Sequence, residues 1–326
     1  MPIERSCIHS LIATSVLLGA AGPGAAQTYP TRPVTLVVST PAGSFGDIVG
    51  RAIANGLAPS MGQPMVVENR PGAGGIIAAE HVRKSVADGQ TLLVASMAIP
   101  VFNSYVFSKL PYDPSRDFAN IGTVFTGPVV VVVRASLGVN TLAELIALAK
   151  SKPGTLNLAH AGNGTPPHIA AALLLRTAGV QMTQVPFKGS NDSVQAVVAG
   201  TADVCVDAPP LVAPHVRSGR LKALAVTGPE RVPMIADVPT TAEAGLAAYR
   251  SEFWFGLLAP AATPKPIVQR VNAELQKLVA SAEMRQFLDA QGARPLALTP
   301  EAFDALIKKE NEHWGPVLRE AGIRLD

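Results

Sequence analysis

The chain has 326 residues, 48% apolar and 16% charged, which is material for two domains of ordinary size with packed cores. That composition excludes a disordered chain, and a formal charge of +3, from 27 basic and 24 acidic residues, excludes a nucleic-acid binder relying on a basic face. Two cysteines exclude a disulfide framework and argue against a zinc knuckle.

Residues 1–26 read as an address. Arg5 precedes an apolar stretch from Leu11 to Ala21, small residues follow (Gly22, Gly24, Ala25, Ala26), and no charge appears until Arg32. This is the pattern of a secretory signal cleaved after Ala26, with Gly24 and Ala26 in the small −3 and −1 places. A membrane anchor is the weaker reading, because the stretch is short for a span of about 20 residues. Cys7 would leave with the signal, so the mature chain keeps only Cys205 and can form no internal disulfide. The expected product is a soluble exported (periplasmic) protein.

Val34 to Ser39 is a β-branched run followed by the turn Pro41–Gly46, after which Asp47 is an expected N-cap for a helix over Ile48–Leu57. The theme repeats as a strand at Met65–Val67, a glycine turn at Pro71–Gly75 and a helix at Ile76–Val86. Thr91–Ala95 reads as a strand and Ala98–Phe107 as a helix. Strands alternating with helices predict a parallel α/β sheet. Five consecutive valines, Val129–Val133, predict a strand buried on both faces.

The alternation then restarts. Helices are expected at Leu142–Lys150, Pro166–Ala178, Ser193–Val198 and Leu211–Arg217, and strands at Leu156–Ala159, Gln181–Phe187, Ala202–Asp207 and Leu221–Thr227. Phe253–Leu258 is a second strongly apolar strand, and the remainder is helical (Pro266–Ala280, Glu283–Gln291, Pro300–Glu320). The reading is therefore α/β with two lobes, residues 27–128 and 254–326 forming lobe 1 and residues 129–253 lobe 2. Val129–Val133 and Phe253–Leu258 would be the strands that cross between the lobes and make a hinge. One continuous large sheet is the alternative.

In open α/β sheets ligands sit at the C-terminal ends of strands. The turns Gly43–Gly46 and Gly162–Thr165 fall there, one per lobe, each offering backbone N–H groups at a helix start where negative charge is favoured. Together they suggest an anion clamp. Neither turn contains Lys or Arg, so carboxylate is expected rather than phosphate. Pro166 and Pro167 have no N–H, which leaves Gly164, Thr165 and His168 as backbone donors and the Thr165 hydroxyl as a side-chain donor. Asp47 reads as a cap before a ligand contact, and His168 as a hydrogen-bonding helix residue before a base. Asp207 ends a strand, where it would either recognise an ammonium or hydroxyl group or cap a loop.

Enzymatic chemistry finds no support. Cys205 sits in an alternating strand as a small buried hydrophobe, Gly189-Ser190 lacks the nucleophile-elbow pattern, and the histidines show no metal spacing. No catalytic residue, metal or cofactor is expected.

The sequence resembles the Bug-type solute receptors of tripartite tricarboxylate transport systems over essentially the whole mature chain. The resemblance rests on PAGSFGDIVGR (41–51), NRPGAGGIIAA (69–79), DGQTLLV (88–94), LPYDPSRDF (110–118), GNGTPPH (162–168), VPFKG (185–189), LKALAVT (221–227), PTTAEAG (239–245) and WFGLLAP (254–260). It implies a two-lobed periplasmic-binding-protein fold of the type II, Venus-flytrap kind, with two open α/β sheets. It also implies a monomeric receptor that holds a small organic acid and presents it to membrane carrier subunits, with no nucleic-acid partner.

By position, the family's carboxylate-holding turns, which act partly through water, correspond to Gly43, Ser44, Phe45, Gly46 and Asp47 and to Asn163, Gly164, Thr165 and His168. Ser96 and Asp207 align with pocket-lining places. The first turn departs from the family pattern of two adjacent glycines and then a hydroxyl residue. Ser44 replaces the second glycine, Gly46 the hydroxyl residue, and Phe45 lies between, which points to a ligand with an apolar or aromatic portion. The rival readings are a receptor feeding a sensor kinase and a secreted enzyme acting on a carboxylic acid.

Overall fold

The computed structural model describes residues 29–320 and 322–325. The expected signal segment and Cys7 lie outside the described residues. Two mixed sheets organise the rest. The first is built from β1 (Val34–Val38), β2 (Met65–Asn69), β3 (Thr91–Ser96), β4 (Phe118–Pro128), β10 (Glu252–Pro260) and β11 (Arg294–Pro295), in the order β11-β4-β10-β3-β1-β2. The second is built from β5 (Val130–Arg134), β6 (Asn157–His160), β7 (Thr183–Pro186), β8 (Val204–Asp207) and β9 (Leu221–Val226), in the order β7-β6-β8-β5-β9.

In each sheet the strands that carry the glycine turns are parallel: β1 with β2 and β3, and β6 with β7 and β8. Helices start just beyond them: α1 (Phe45–Met61) and α2 (Ile76–Arg83) in the first lobe, α5 (Pro166–Ala178), α6 (Ser190–Val198) and α7 (Pro209–Arg217) in the second. The α3 helix (Asn103–Val106) and α4 (Leu142–Ser151) complete the crossovers, and α8 (Lys265–Ala280), α9 (Ala282–Ala290) and α10 (Pro300–Glu320) return to cover the first sheet. The architecture is the two-lobed α/β fold expected.

The crossing between lobes is shorter than the sequence suggested. All five residues of β5 pair within the second sheet, antiparallel to β8 and β9, and β10 lies within the first, antiparallel to β3 and β4. Neither strand crosses. The outward passage is Val129, the one residue between β4 and β5, and the return runs through residues 227–251. Both passages meet at buried Thr227, whose backbone N–H donates to the Val129 carbonyl at 3.0 Å. Its hydroxyl oxygen accepts from the Val129 N–H at 3.0 Å, and the hydroxyl reaches the Ser251 carbonyl. Alternating buried valines stabilise β5 as a two-faced core strand, so its hydrophobicity marks burial rather than passage between lobes.

Strand β4 is an eleven-residue element absent from the sequence reading. It contains Asn120, Gly122 and Gly127, β-depleted positions that blur its alternation, yet it packs between β10 and β11 and buries Ile121, Val124 and Phe125.

Candidate ligand site

The C-terminal ends of β1, β3, β6 and β8 converge on one cavity of about 180 Å³ between the two sheets. Of the residues expected at the site, Ser44, Phe45, Gly46, Ser96, Asn163, Thr165 and Asp207 line it. Gly43, Asp47, Gly164 and His168 do not; they stand behind the wall and hold the lining loops.

At the first turn the helix starts earlier than expected. Ser44, with extended backbone, is the N-cap, and Asp47 is the third helical residue rather than the cap. The Asp47 carboxylate turns back to accept from the Gly43 N–H at 2.9 Å and is held by Arg51 and by the Asn69 side-chain amide at 2.9 Å. Burial alone would raise its pKa, but the Arg51 guanidinium, the Gly43 N–H and the Asn69 amide together hold it below the usual carboxylate range. Asp47 is thus a brace.

The Gly43 and Ser44 N–H groups are occupied by Asp47 and by the Pro41 carbonyl, and the first intrahelical bond is Ile48 N–H to Ser44 O. The N–H groups of Phe45 and Gly46 therefore find no acceptor among the described residues, and both residues line the cavity at the positive end of a seventeen-residue helix. One free hydroxyl stands beside them. Ser96, at the end of β3 and 4% exposed, lines the cavity and donates to no group among the described residues. The Ser44 hydroxyl gives its one proton to the Pro41 carbonyl at 2.6 Å, so in its 2.8 Å contact with Thr40 the Thr40 hydroxyl is the donor and its proton is engaged. Glycine at position 46 is required by this crowding: a Cβ there would lie 2.5 Å from Thr40 Oγ1 and 2.8 Å from the Phe255 ring.

The second turn is arranged differently. The Gly164 N–H donates to His168 Nδ1 at 3.2 Å, and the Thr165 N–H and hydroxyl both donate to the Gly162 carbonyl, at 3.3 and 2.7 Å. The donors that the sequence assigned to a ligand at Gly164 and Thr165 are thus committed within the turn. His168 stacks on His160 with ring centroids 4.3 Å apart. Burial, and then the neighbouring His160, push the pKa of His168 down to about 3; burial lowers that of His160 to about 4, opposed by a hydrogen bond with Gly162. Both imidazoles are neutral pegs beneath the loop. Asn163 lines the cavity.

Two further loops that sequence reasoning passed over complete the wall. Residues 71–75 follow the edge strand β2, and Gly72, Ala73, Gly74 and Gly75 all have positive φ, Ala73 at +46°. Such strain in a non-glycine residue persists where surrounding contacts over-determine it. The Asn103 side chain holds the Gly74 carbonyl at 3.2 Å. Gly74 meets Gly164 across the cleft so closely that a Cβ on either would lie 3.3 Å from the other's Cα. Residues 187–190 follow β7 and bring Lys188 to the rim. Both loops obey the strand-end rule and were legible by it.

Beside the polar end stands an aromatic wall of Phe45, Phe253 and Phe255. Phe45 packs edge-to-face on Phe125 and Phe253, at 5.0 and 5.8 Å between centroids, and Phe255 stacks on Phe125 at 5.5 Å. Asp207 closes the second lobe's side. Burial pushes its pKa up to about 6, against hydrogen bonds from the Ala208 N–H and from the Ser190 and Ser193 hydroxyls. Cys205, two residues earlier, is fully buried, and burial together with Asp207 holds its thiol protonated. Among the described residues no group of His, Cys, Asp or Glu could hold a metal ion, and no helix is long and apolar enough to cross a membrane.

Residues 49–323 match the family model described as the tripartite tricarboxylate transporter family receptor. The chain is 34% identical over 308 residues to Protein BugT of Bordetella pertussis, covering 94% of each. Among solved structures it is similar to R. palustris Rpa4515 with adipate, with a TM-score of 0.87 and 34% identity over 91% of this chain and 100% of that one. It is also similar to MatC of Rhodopseudomonas palustris with bound malate, with a TM-score of 0.83 and 34% identity over 89% of this chain and 100% of that one. A cavity between two lobes, walled by strand-end loops and matched along nearly the whole chain by such relatives, identifies this protein as a member of the tripartite tricarboxylate transporter family of solute-binding receptors.

Proposed function

We propose that this chain is a periplasmic, monomeric receptor that captures one small organic acid between its lobes and delivers it to the membrane carrier of a tripartite tricarboxylate-type transporter. In this reading residues 27–128 and 254–326 form one jaw and 129–253 the other, and residues 1–26 direct export. The ligand's carboxylate sits at the start of α1, receiving the Phe45 and Gly46 N–H groups and the Ser96 hydroxyl, and its apolar body lies on Phe45, Phe253 and Phe255.

One observation carries the proposal. Unsatisfied N–H donors at a helix start open into a mainly apolar cavity between the sheets, where an anion supplies the missing acceptor. The magnitudes agree. Micromolar binding needs about −8 kcal/mol, of which a helix dipole supplies only ~0.3–1 kcal/mol. Several hydrogen bonds to a charged group, at ~1.5–3 kcal/mol each, account for the rest together with apolar burial. The space suits a ring or a short chain, since an apolar cavity of about 150 Å³ admits benzene. Adipate and malate, held by the two relatives, are acids of that size class.

Calorimetry of the mature chain tests this. Small carboxylic acids should give saturable heat, while the corresponding primary amides give none. Equal binding of acid and amide would remove the carboxylate from the reading. Mass spectrometry of molecules released from freshly purified protein identifies the natural ligand, and cell fractionation checks the compartment.

A further inference from the structure

An acidic side chain in the wall of an anion receptor needs an explanation. Asp207 is 1% exposed, ends β8 and lines the cavity. Its Oδ1 accepts from the Ala208 N–H at 2.8 Å. Its Oδ2 faces the Ser193 hydroxyl at 3.5 Å, a long contact, because that hydroxyl also donates to the Ser190 carbonyl at 2.9 Å, and the Ser190 hydroxyl is the carboxylate's other side-chain partner. No ion pair among the described residues involves Asp207, and Lys188, the cation of the cavity lining, is exposed at the rim. A carboxyl group without a counter-cation, with acceptor capacity left over, therefore faces the same space as the ligand.

We infer that Asp207 accepts a hydrogen bond from a hydroxyl or ammonium group on the ligand's body, so that the receptor selects monocarboxylates bearing a donor at the far end and rejects dicarboxylates. The inference rests on the carboxylate reading of the α1 end and adds the chemistry of the opposite end. The two ends then divide the recognition. The α1 start supplies donors only and takes the anion, whereas Asp207 supplies an acceptor and takes a donor. A second carboxylate would place like charges together in a cavity of low polarity, where such repulsion is weakly screened. An acid with no polar group at the far end would leave the remaining acceptor sites of this buried carboxylate without a partner.

Calorimetry at pH 7.5 with two matched series decides the matter: hexanoate, 6-hydroxyhexanoate, 6-aminohexanoate and adipate; and benzoate, 4-hydroxybenzoate, 4-(aminomethyl)benzoate and terephthalate. In the series whose length fits, the hydroxy or amino acid should bind roughly tenfold or more tighter than the plain acid, and the diacid weakest. Asp207→Asn, with folding checked by its melting transition, should erase the preference for the ammonium member and bring the diacid up by about tenfold. Plain acids binding as tightly as their hydroxy and amino counterparts would overturn the inference while leaving the carboxylate reading intact. So would a diacid binding tightest to the native protein. Absence of binding by every acid, with the protein folded, would overturn both.

Discussion

The starts of α1 and α5 look alike in sequence, each a glycine turn leading into a helix, and the structure uses them in opposite ways. At α1 the brace is an acid, Asp47, that draws the Gly43 N–H inward, leaving the next two amides of the helix unpaired at the cavity. At α5 the brace is a base, the lone pair of His168 Nδ1, and the turn's remaining donors close on the Gly162 carbonyl while two prolines remove the next two amides. One turn is poised for an anion and the other is self-satisfied. A helix N-terminus binds an anion only if the residues around it leave its amides unclaimed, and that depends on what lies four residues on: Asp47 after Gly43, His168 after Gly164.

The largest effect that separates the two turns is their response to acid. The buried His160–His168 pair refuses protons that the unfolded chain accepts near its ordinary pKa of 6.5, since burial lowers the folded values to about 4 and 3. Between those values the unfolded state binds more protons, so stability is full above about pH 6.5 and is lost as pH falls toward 4. At about 1.4 kcal/mol per pKa unit the pair accounts for several kcal/mol. Asp47 acts in a lower window. Its folded pKa is depressed, so its contribution is present above the unfolded value of about 3.9 and is lost only as pH falls below that. Asp207, with its pKa raised to about 6, gains stability as pH falls through the same range and offsets part of this, so the test is a difference: between pH 6.5 and 4 the curve should shift toward less loss in His160→Gln and stay unchanged in Asp47→Asn. A His160→Gln profile parallel to the native one over that range would contradict the buried, neutral state of the imidazoles.

Crowding at α1 comes next. In Gly46→Ala the new methyl meets Thr40 Oγ1 and the Phe255 ring, both well inside contact distance. Either the hydroxyl leaves its place beside the free amides or the helix start shifts. We expect acid affinity to fall about a hundredfold, in line with overpacking costs of ~1–3 kcal/mol. Calorimetry reads this directly, and an unchanged affinity would mean that the ligand does not depend on the geometry of residues 40–46.

At α5 the corresponding change is Gly164→Ala, which forces an alanine to φ +78° and pushes a methyl against Gly74 and the Phe107 ring. The turn keeps its own hydrogen bonds, so the expected damage is to the approach of the lobes. Affinity should fall roughly tenfold, and small-angle scattering should show less compaction on adding the acid than in the native protein. Normal compaction with a hundredfold loss of affinity would instead give this turn the direct role that the α1 start holds.

Much of this fold was legible. The bounds of α5 and α10 follow from their prolines and apolar periodicity, and β1 and β5 from their β-branched runs. Strand β4 was not, because its glycines and polar residues are explained only by the neighbours that cover them. Helix α1 begins at Phe45, ahead of the favourable cap Asp47, because the Phe45 ring is fixed in the cluster with Phe125 and Phe253, more than 75 residues away in the chain. The site was half legible for a related reason. Strand-end position pointed to the right turns, but whether an amide is free is a tertiary fact. Nothing in the sequence around Thr165 reveals that its hydroxyl is committed to Gly162, or that residues 71–75 reach across to touch the other lobe.

The smallest predicted effect is the most pointed test of the contrast. If the α5 turn is self-satisfied, Thr165→Val removes a hydrogen bond internal to the turn, whose net worth is about 0.5–1.5 kcal/mol. The valine keeps the shape at the N-cap, and the extended backbone there suits a β-branched residue. Stability in urea should fall by about that amount while acid affinity changes less than about threefold. Were the hydroxyl instead a donor to the bound acid, the order would reverse, with affinity dropping by ~1.5–3 kcal/mol and the unfolding midpoint of the empty protein barely moving. The same substitution measured with and without ligand thus separates a turn that holds itself from one that holds the ligand.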